Sequence, residues 1–393
     1  MTKGRGVAFL LSYNLKEGAG NENWLIALLG ETDFTERYNV GIYQPDIFPN
    51  ERIFSSFLND KLKNIKIYDY HDYIHKIDFL NRNKLSNILL ESLLRPLFIR
   101  FSSITLYREL TSEIGRSDIV YLFYNDYIGL IKGTPQLVIG TTHDWYHRLT
   151  NIFGNIRLKL ISIGLFWHKI NSSNFFTESS VSRIDTRHFK TDVIKVCRDS
   201  SPFYPVNQKE SHKVVFAFVG RLVECKGVIE AISAWNKADI NRESELHIIG
   251  TDPLYEEILK ISNETIFVRG SVVLEELSSL LSKCDTSGAT VTEVALSGAY
   301  IFFSNTLEGE FDDLEDHKIL EYIEPSVDAL KSSIQESNKN GKRSITKKQE
   351  AHSFIKESYD VNIMGHKLSN FIESNMAYNF SSAEYDSDAL NVR

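Results

Sequence analysis

The sequence predicts an α/β protein of two Rossmann-like domains, each a doubly wound parallel sheet, facing a cleft. Three observations carry that expectation. Apolar runs of strand length alternate with stretches of helical apolar spacing along most of the chain, which implies parallel pairing and right-handed crossovers. The alternation is interrupted by one polar segment with two prolines, "SSPFYPVNQKESHK" (residues 200–213). At 393 residues, the chain is also longer than one ordinary core serves.

The elements follow in order. Val7–Tyr13 reads as the first strand, "NLKEGAGNEN" as a turn and "WLIALLGETDF" as an apolar helix. "YNVGIYQPD" and "KNIKIYDYHD" read as strands, and Lys76–Leu110 as a helical region broken at Arg95-Pro96, where proline removes a donor. "DIVYLFYN" and "PQLVIGTTHDW" are strands rich in β-branched and aromatic residues. A helical stretch over 155–170 leads to the short strand "NFFTES", and "DVIKVCRD" completes this half. After the linker, "VVFAFVG", "LHIIG", "IFVRG" and "AYIFFS" are strands separated by helices. The period is helical again over 345–374, and 377–393 reads as a frayed tail. The expected organisation is therefore a first domain over 1–203 and a second over 204–350. A C-terminal helix over 351–376 packs back toward the first domain, and a flexible tail covers 377–393.

Composition narrows the partners. Hydrophobic residues make up 42% and charged residues 24%, the balance of a soluble globular chain. A formal charge of -8 argues against a general nucleic-acid binder. Three cysteines, Cys197, Cys225 and Cys284, stand far apart, fit no disulfide framework or zinc site, and suit a reducing compartment. The apolar run near the N-terminus is too short for a signal peptide, and no run reaches the ~18 residues of a membrane span. A cytoplasmic protein is expected. Two basic amphipathic stretches, "NRNKLSNILLESLLRPLFIRF" and "NIRLKLISIGLFWHKI", fit peripheral contact with the inner face of a membrane. They fit equally simple packing on the first sheet, which their periodicity favours.

Two places carry chemistry. In "FVGRLVECKGVIEAI", Gly220, Arg221 and Lys226 occupy the turn between a strand and a helix, where open α/β sheets bind ligands. A helix N-terminus with a glycine and two cations suits a diphosphate. A solvated turn would show the same residue types. In "CDTSGATVTEVALSGAYIFFS", Glu293 opens a helix, and Asp285 lies eight residues earlier. A carboxylate at a helix start is favourable through the dipole alone. It could also accept hydrogen bonds from ribose hydroxyls, as acidic residues do in dinucleotide sites.

"FVGRLVECKGVIEAI", "LHIIGTDPLYEEIL", "IFVRGSVVLEELSSLLSKCD" and "EVALSGAYIFFS" follow in the order of the C-terminal domain of retaining GT-B glycosyltransferases. These are the glycogen-synthase-like enzymes that use nucleotide-sugars, and the chain resembles them best over 214–334. The resemblance implies that Arg221, Lys226 and Gly220 hold the donor diphosphate and that Glu293 binds the ribose. It implies Asp285 as the counterpart of the family's first carboxylate. Such enzymes carry Glu-Gly-Phe-Gly, four more residues and a second Glu; "DTSGATVTE" keeps the spacing and Gly288 but has Asp285 for the first Glu and no aromatic residue. A rival alignment makes Cys284-Asp285 the end of the preceding helix, with the next strand and most of the sugar-contacting loop missing. Glu293 keeps its role in both.

In the first half, "KEGAGNENWLIALL" resembles the family's glycine-rich loop, which implies Gly18, Gly20 and Glu22 near donor and acceptor. "TTHDW" resembles the family's strand-end histidine, so His143 would face the reacting sugar; with Asp285 it forms the catalytic pair that the resemblance implies. Glu178 and Ser179 match a cleft-lining segment. The implied activity is sugar transfer, with retention, from a nucleotide diphosphate-sugar to a glycan, lipid-linked or protein acceptor. It requires no metal and no further cofactor. The alternatives are a GT-B scaffold without catalysis, motivated by the altered Asp285 loop, and a sugar-nucleotide epimerase of GT-B type.

Overall fold

The computed structural model describes residues 4–11, 15, 20–46, 65–70, 107–123, 137–142, 172–175, 190–195, 197–206, 213–240, 244–251, 253–284, 286–288 and 291–390. The chain divides into two compact units, one of residues 1–197 with 361–393 and the other of 198–360.

The first unit holds seven parallel strands: β1 (Gly6–Leu10), β2 (Asn39–Pro45), β3 (Lys66–Tyr70), β4 (Ile119–Leu122), β5 (Leu137–Thr142), β6 (Ser172–Phe175) and β7 (Lys190–Val193). Their spatial order is β3-β2-β1-β4-β5-β6-β7. Val7 lies beside Val40 on one side and Ile119 on the other, so β1 is central. A central strand of a doubly wound sheet is covered on both faces, which explains the unbroken apolar run. Helices α1 (Gly20–Glu31) and α2 (Phe34–Arg37) lie between β1 and β2, and α3 (Arg108–Ile114) precedes β4.

An aromatic core fills this unit. Phe9, Trp24, Tyr121 and Phe123 are all buried, with ring centroids 5.3 to 6.4 Å apart. Such packing combines large buried area with edge and offset ring geometry. At the carboxyl end of the sheet, buried Gln44 accepts from the Leu15 amide at 3.0 Å and donates to Asp69 at 2.7 Å, and the Tyr70 hydroxyl donates to the Leu11 carbonyl. These bonds satisfy polar groups that burial would otherwise penalise.

The second unit holds β8 (Val214–Val219), β9 (Ser244–Ile249), β10 (Ile266–Gly270), β11 (Thr286–Gly288), β12 (Tyr300–Ser304) and β13 (Leu320–Ile323). All are parallel, in the order β10-β9-β8-β11-β12-β13. Between and after them run α4 (Val228–Ala238), α5 (Tyr255–Ile261), α6 (Leu274–Lys283), α7 (Val291–Leu296), α8 (Asp312–Asp316), α9 (Val327–Asn340) and α10 (Ile345–Tyr359). The apolar faces of α4 (Val228, Ile232, Trp235) and of α10 (Ala351, Ile355, Tyr359) join two different hydrophobic clusters, so helices cover both faces of the sheet.

The C-terminal segment differs from the expectation. The single helix expected over 351–376 is two helices, α10 and α11 (Val361–Leu390), divided at Asp360. α10 belongs to the second core, whereas Met364, Leu368, Phe371 and Ile372 of α11 are buried in the first. Gly365 lets α11 approach α1, since a Cβ there would stand 2.7 Å from the Thr32 methyl. The backbone of α11 stays helical to Leu390, through most of the segment that read as a tail.

The linker also differs. Residues 198–203 are part of the second unit: the Arg198 amide donates to the Tyr359 carbonyl, Ser200 Oγ to Asp360 at 2.5 Å and Ser278 Oγ to the Pro202 carbonyl, and Phe203 is buried. The boundary therefore falls at 197/198, not 203/204. β11 and β13 were not legible as strands, because "TSG" carries no apolar side chain and "LEYI" is short and partly charged. Among the described residues no helix is long and apolar enough to cross a membrane. The two basic amphipathic stretches lie outside the described residues.

Candidate functional site

Both sheets reverse strand order once, between β1 and β4 in the first unit and between β8 and β11 in the second. Crevices for ligands form at such switch points, outside the carboxyl ends of the strands. In the second unit the segment after β8 contains Gly220, Arg221 and Lys226, and the segment after β11 leads into Glu293.

The turn after β8 is built by glycines. Gly220 has φ 148° and its amide donates to the Ile249 carbonyl at 3.0 Å. Gly250, at φ 153°, ends β9 against it; a Cβ on Gly250 would lie 1.9 Å from the Gly220 carbonyl oxygen. The turn is pinned further by the Leu222 amide to the Thr251 carbonyl and the Leu254 amide to the Leu222 carbonyl. A 3-10 turn over Glu224–Lys226 follows, closed by Gly227 at φ 75°, which then caps α4. Arg221, before this turn, and Lys226, its last residue, are both exposed. The eleven-residue α4 thus presents its amino end beside two cations, an arrangement that suits phosphate.

Glu293 stands in the first turn of α7 and is only 9% exposed. Its Oε1 accepts from Arg198 Nε at 2.6 Å, and its Oε2 accepts from the Thr292 hydroxyl at 3.1 Å. Burial pushes the Glu293 carboxyl up, but the Arg198 charge and hydrogen bond, together with hydrogen bonds from the Glu293 amide and the Thr292 hydroxyl, outweigh it and hold the group below its ordinary value. Glu293 is therefore a buried, ionised carboxylate that accepts from Arg198, Thr292 and its own amide.

α7 and the end of α6 are both fastened from the second unit's last helix. His352 Nδ1 donates to the Leu296 carbonyl at 2.6 Å, and buried Lys348 Nζ donates to the Cys284 carbonyl at 2.8 Å. Ser297 Oγ and its amide both donate to the Glu293 carbonyl. On the same side of the fold, the Tyr359 hydroxyl bonds both Asp313 oxygens, at 2.8 and 2.9 Å.

Sequence reasoning missed Arg198. It lies in "VCRDSSPFYP", read as the entry to a linker, and its partner is 95 positions away, so no local spacing signals the pair. Asp285 lies outside the described residues. Its neighbours are Cys284, the C-cap of α6, and Thr286, the first residue of β11, at the amino end of that strand. The strand that the rival alignment expects to be missing is present, three residues long. α7 begins after residues 289–290 alone.

In the first unit, Gly20 opens α1 after β1, and Glu22 lies in its first turn, with its side chain outside the described residues. Gly18, Glu178 and Ser179 lie outside them too. So does His143, which follows Thr142, the last residue of β5. Among the described residues no group of His, Cys, Asp and Glu could hold a metal ion.

No family model matches the sequence, and no curated protein matches it significantly. Solved structures do match in shape. Sucrose-phosphate synthase from Thermosynechococcus elongatus superposes with a TM-score of 0.68 at 14% identity, covering 95% of this chain and 100% of its own. Anabaena HepE, in complex with UDP and glucose, gives 0.65 at 13% identity, covering 94% and 100%. The chain has the GT-B fold. A third GT-B structure, WaaG, a glycosyltransferase of lipopolysaccharide biosynthesis, gives 0.59 at 12% identity over 93% and 99%. Identities this low establish the fold alone, so chemistry on this GT-B scaffold has to be argued from the site.

Proposed function

We propose that the chain is a glycosyltransferase that moves a sugar from a nucleoside diphosphate donor to a glycan, lipid-linked or protein acceptor, with retention. One observation carries the reading: Gly220, Arg221 and Lys226 follow β8, Glu293 follows β11, and these neighbouring strands flank the switch point of the second sheet. On this reading, cations for a diphosphate and a carboxylate for a ribose follow neighbouring strands, at the carboxyl edge where α/β sheets take nucleotides. The UDP and glucose bound by HepE support the same donor class. The motif order of retaining enzymes supports retention.

In this scheme the bond between the sugar C1 and the diphosphate oxygen breaks, and the leaving group keeps the electron pair. Arg221 and Lys226 stabilise the charge that develops there, where fixed cations act most strongly. The acceptor oxygen bonds to C1, and its proton passes to the departing diphosphate oxygen. Acceptor binding is assigned to the first unit, with Gly18, Gly20 and Glu22 after β1 and His143 after β5. No metal or cofactor is needed.

Calorimetric titration with UDP, UDP-glucose and other nucleotide-sugars tests this reading. Binding is expected, together with product formation when an acceptor panel is added. No binding to any donor, unaffected by Arg221→Ala, would sink it.

A second reading has its own observation. Only residues 289–290 join β11 to α7, so this connection has little length with which to reach a sugar. A protein that binds nucleotide without transferring sugar would fit that connection. It would hold UDP and UDP-glucose equally well and yield no product with any acceptor.

A further inference from the structure

We propose that Arg198 is a positioning residue for nucleotide binding, holding the Glu293 carboxylate in one charged, fixed, acceptor-only state for the vicinal hydroxyls of a ribose. The inference deepens the reading above and rests on Glu293 being the ribose acceptor.

The geometry is specific. A carboxylate offers about four lone-pair positions. Arg198 Nε takes one on Oε1, the Thr292 hydroxyl takes one on Oε2 and the Glu293 amide also donates to the carboxylate, which leaves capacity for one further donor. A ribose hydroxyl of the vicinal diol can supply that donor. Were the carboxyl neutral, one oxygen would carry a proton and become a donor itself, and the match to a diol would be lost. Burial favours that neutral form, and Arg198 opposes it.

Arg198 is itself well placed for the task. Its backbone forms a bridge with Asp360, and its amide donates to the Tyr359 carbonyl. Its side chain is only 16% exposed. The guanidinium is therefore set by the paired segments at the first and last residues of the unit, not by a solvated loop. An ordered second residue behind a ligand-binding group fixes that group's orientation and charge.

The test compares UDP with 2′,3′-dideoxy-UDP on the full chain, by calorimetry at pH 6 and pH 8. For the wild type, loss of the diol should weaken binding about tenfold or more, the scale of a charge-assisted hydrogen bond. In Arg198→Gln that ratio should shrink to within about threefold, with UDP binding falling further at pH 6 relative to wild type. Arg198→Lys keeps the charge and should retain most of the ratio and the wild-type pH response; it also serves if the glutamine variant does not fold. Equal losses for UDP and the dideoxy analogue in both variants would mean a merely structural role and overturn the inference. So would an unchanged ratio in Arg198→Gln. A wild type that binds no UDP at all would instead overturn the functional reading on which the inference rests.

Discussion

Arg198 Nε donates to Glu293 Oε1 at 2.6 Å, joining two residues 95 positions apart, and both side chains are largely withdrawn from water. A buried pair of this kind is costly to break, because removing one partner leaves the other charge unpaired. Arg198→Ala should lower stability by about 3–5 kcal/mol. Arg198→Met with Glu293→Leu should recover much of that loss. A double-mutant cycle in urea checks both; additivity of the single changes would refute the coupling.

The same pair predicts a change in pH dependence. In the wild type the folded-state pKa of Glu293 is depressed, so its contribution is present above its ordinary value of 4.5 and lost as pH falls through the folded value. Without Arg198, burial dominates and the carboxyl shifts up. The folded state then binds more protons than the unfolded one, and stability rises on acidification from pH 7 toward 5. Denaturant midpoints of Arg198→Gln should rise from pH 7 toward 5, a range over which Glu293 gives the wild type no slope.

Arg221 and Lys226 are exposed, and their removal should leave the fold intact. Arg221→Ala and Lys226→Ala should each weaken UDP binding about tenfold or more, the worth of one charge-assisted hydrogen bond to phosphate. Melting temperatures should stay within about 1–2 °C of wild type, as for surface changes. Calorimetry and thermal melts on the same samples separate the two effects.

Gly250→Ala should damage the site without touching a ligand group. Its Cβ would meet the Gly220 carbonyl oxygen at 1.9 Å, and its φ of 153° is unfavourable for alanine. Backbone strain alone costs about 1–3 kcal/mol, and the clash adds to it. The expected outcome is lower stability together with weaker UDP binding, because the Gly220–Arg221 turn must shift.

Tyr359→Phe should cost about 1.5–3 kcal/mol, the range for a hydrogen bond to a charged group. The lost hydroxyl is the one that bonds both oxygens of Asp313 and ties α8 to α10. Burial and the Asp313 charge also push this phenol well above its ordinary value, so it stays neutral at all working pH. Urea midpoints for the variant and for Asp313→Asn, which keeps one acceptor, should rank the variant lower.

Local pattern made much of the architecture legible. β8 is apolar at every position because it is central and covered on both faces, and "FVGR" marks its end because the chain there needs a glycine beside Gly250. The elements that were not legible lack such signals. β11 is three residues without an apolar side chain, recognised only by pairing Thr286 and Ser287 with both neighbours. The break at Asp360 sits within a continuous helical period, so only the destination of each half, one core or the other, reveals two helices. At the site, Gly220, Arg221, Lys226 and Glu293 could be named from their places after strands, whereas Arg198 could not.

The α/β class, the doubling of the domain and the cations and carboxylate offered at strand ends are therefore readable along the chain. These depend on periodicity and on residue types within a few positions of one another. Where the chain passes from one unit to the other, and the pairing of Glu293 with a partner from the far end of the unit, emerge from the folded chain. That pairing depends on two segments brought together by the whole sheet, and no local rule of spacing can encode it.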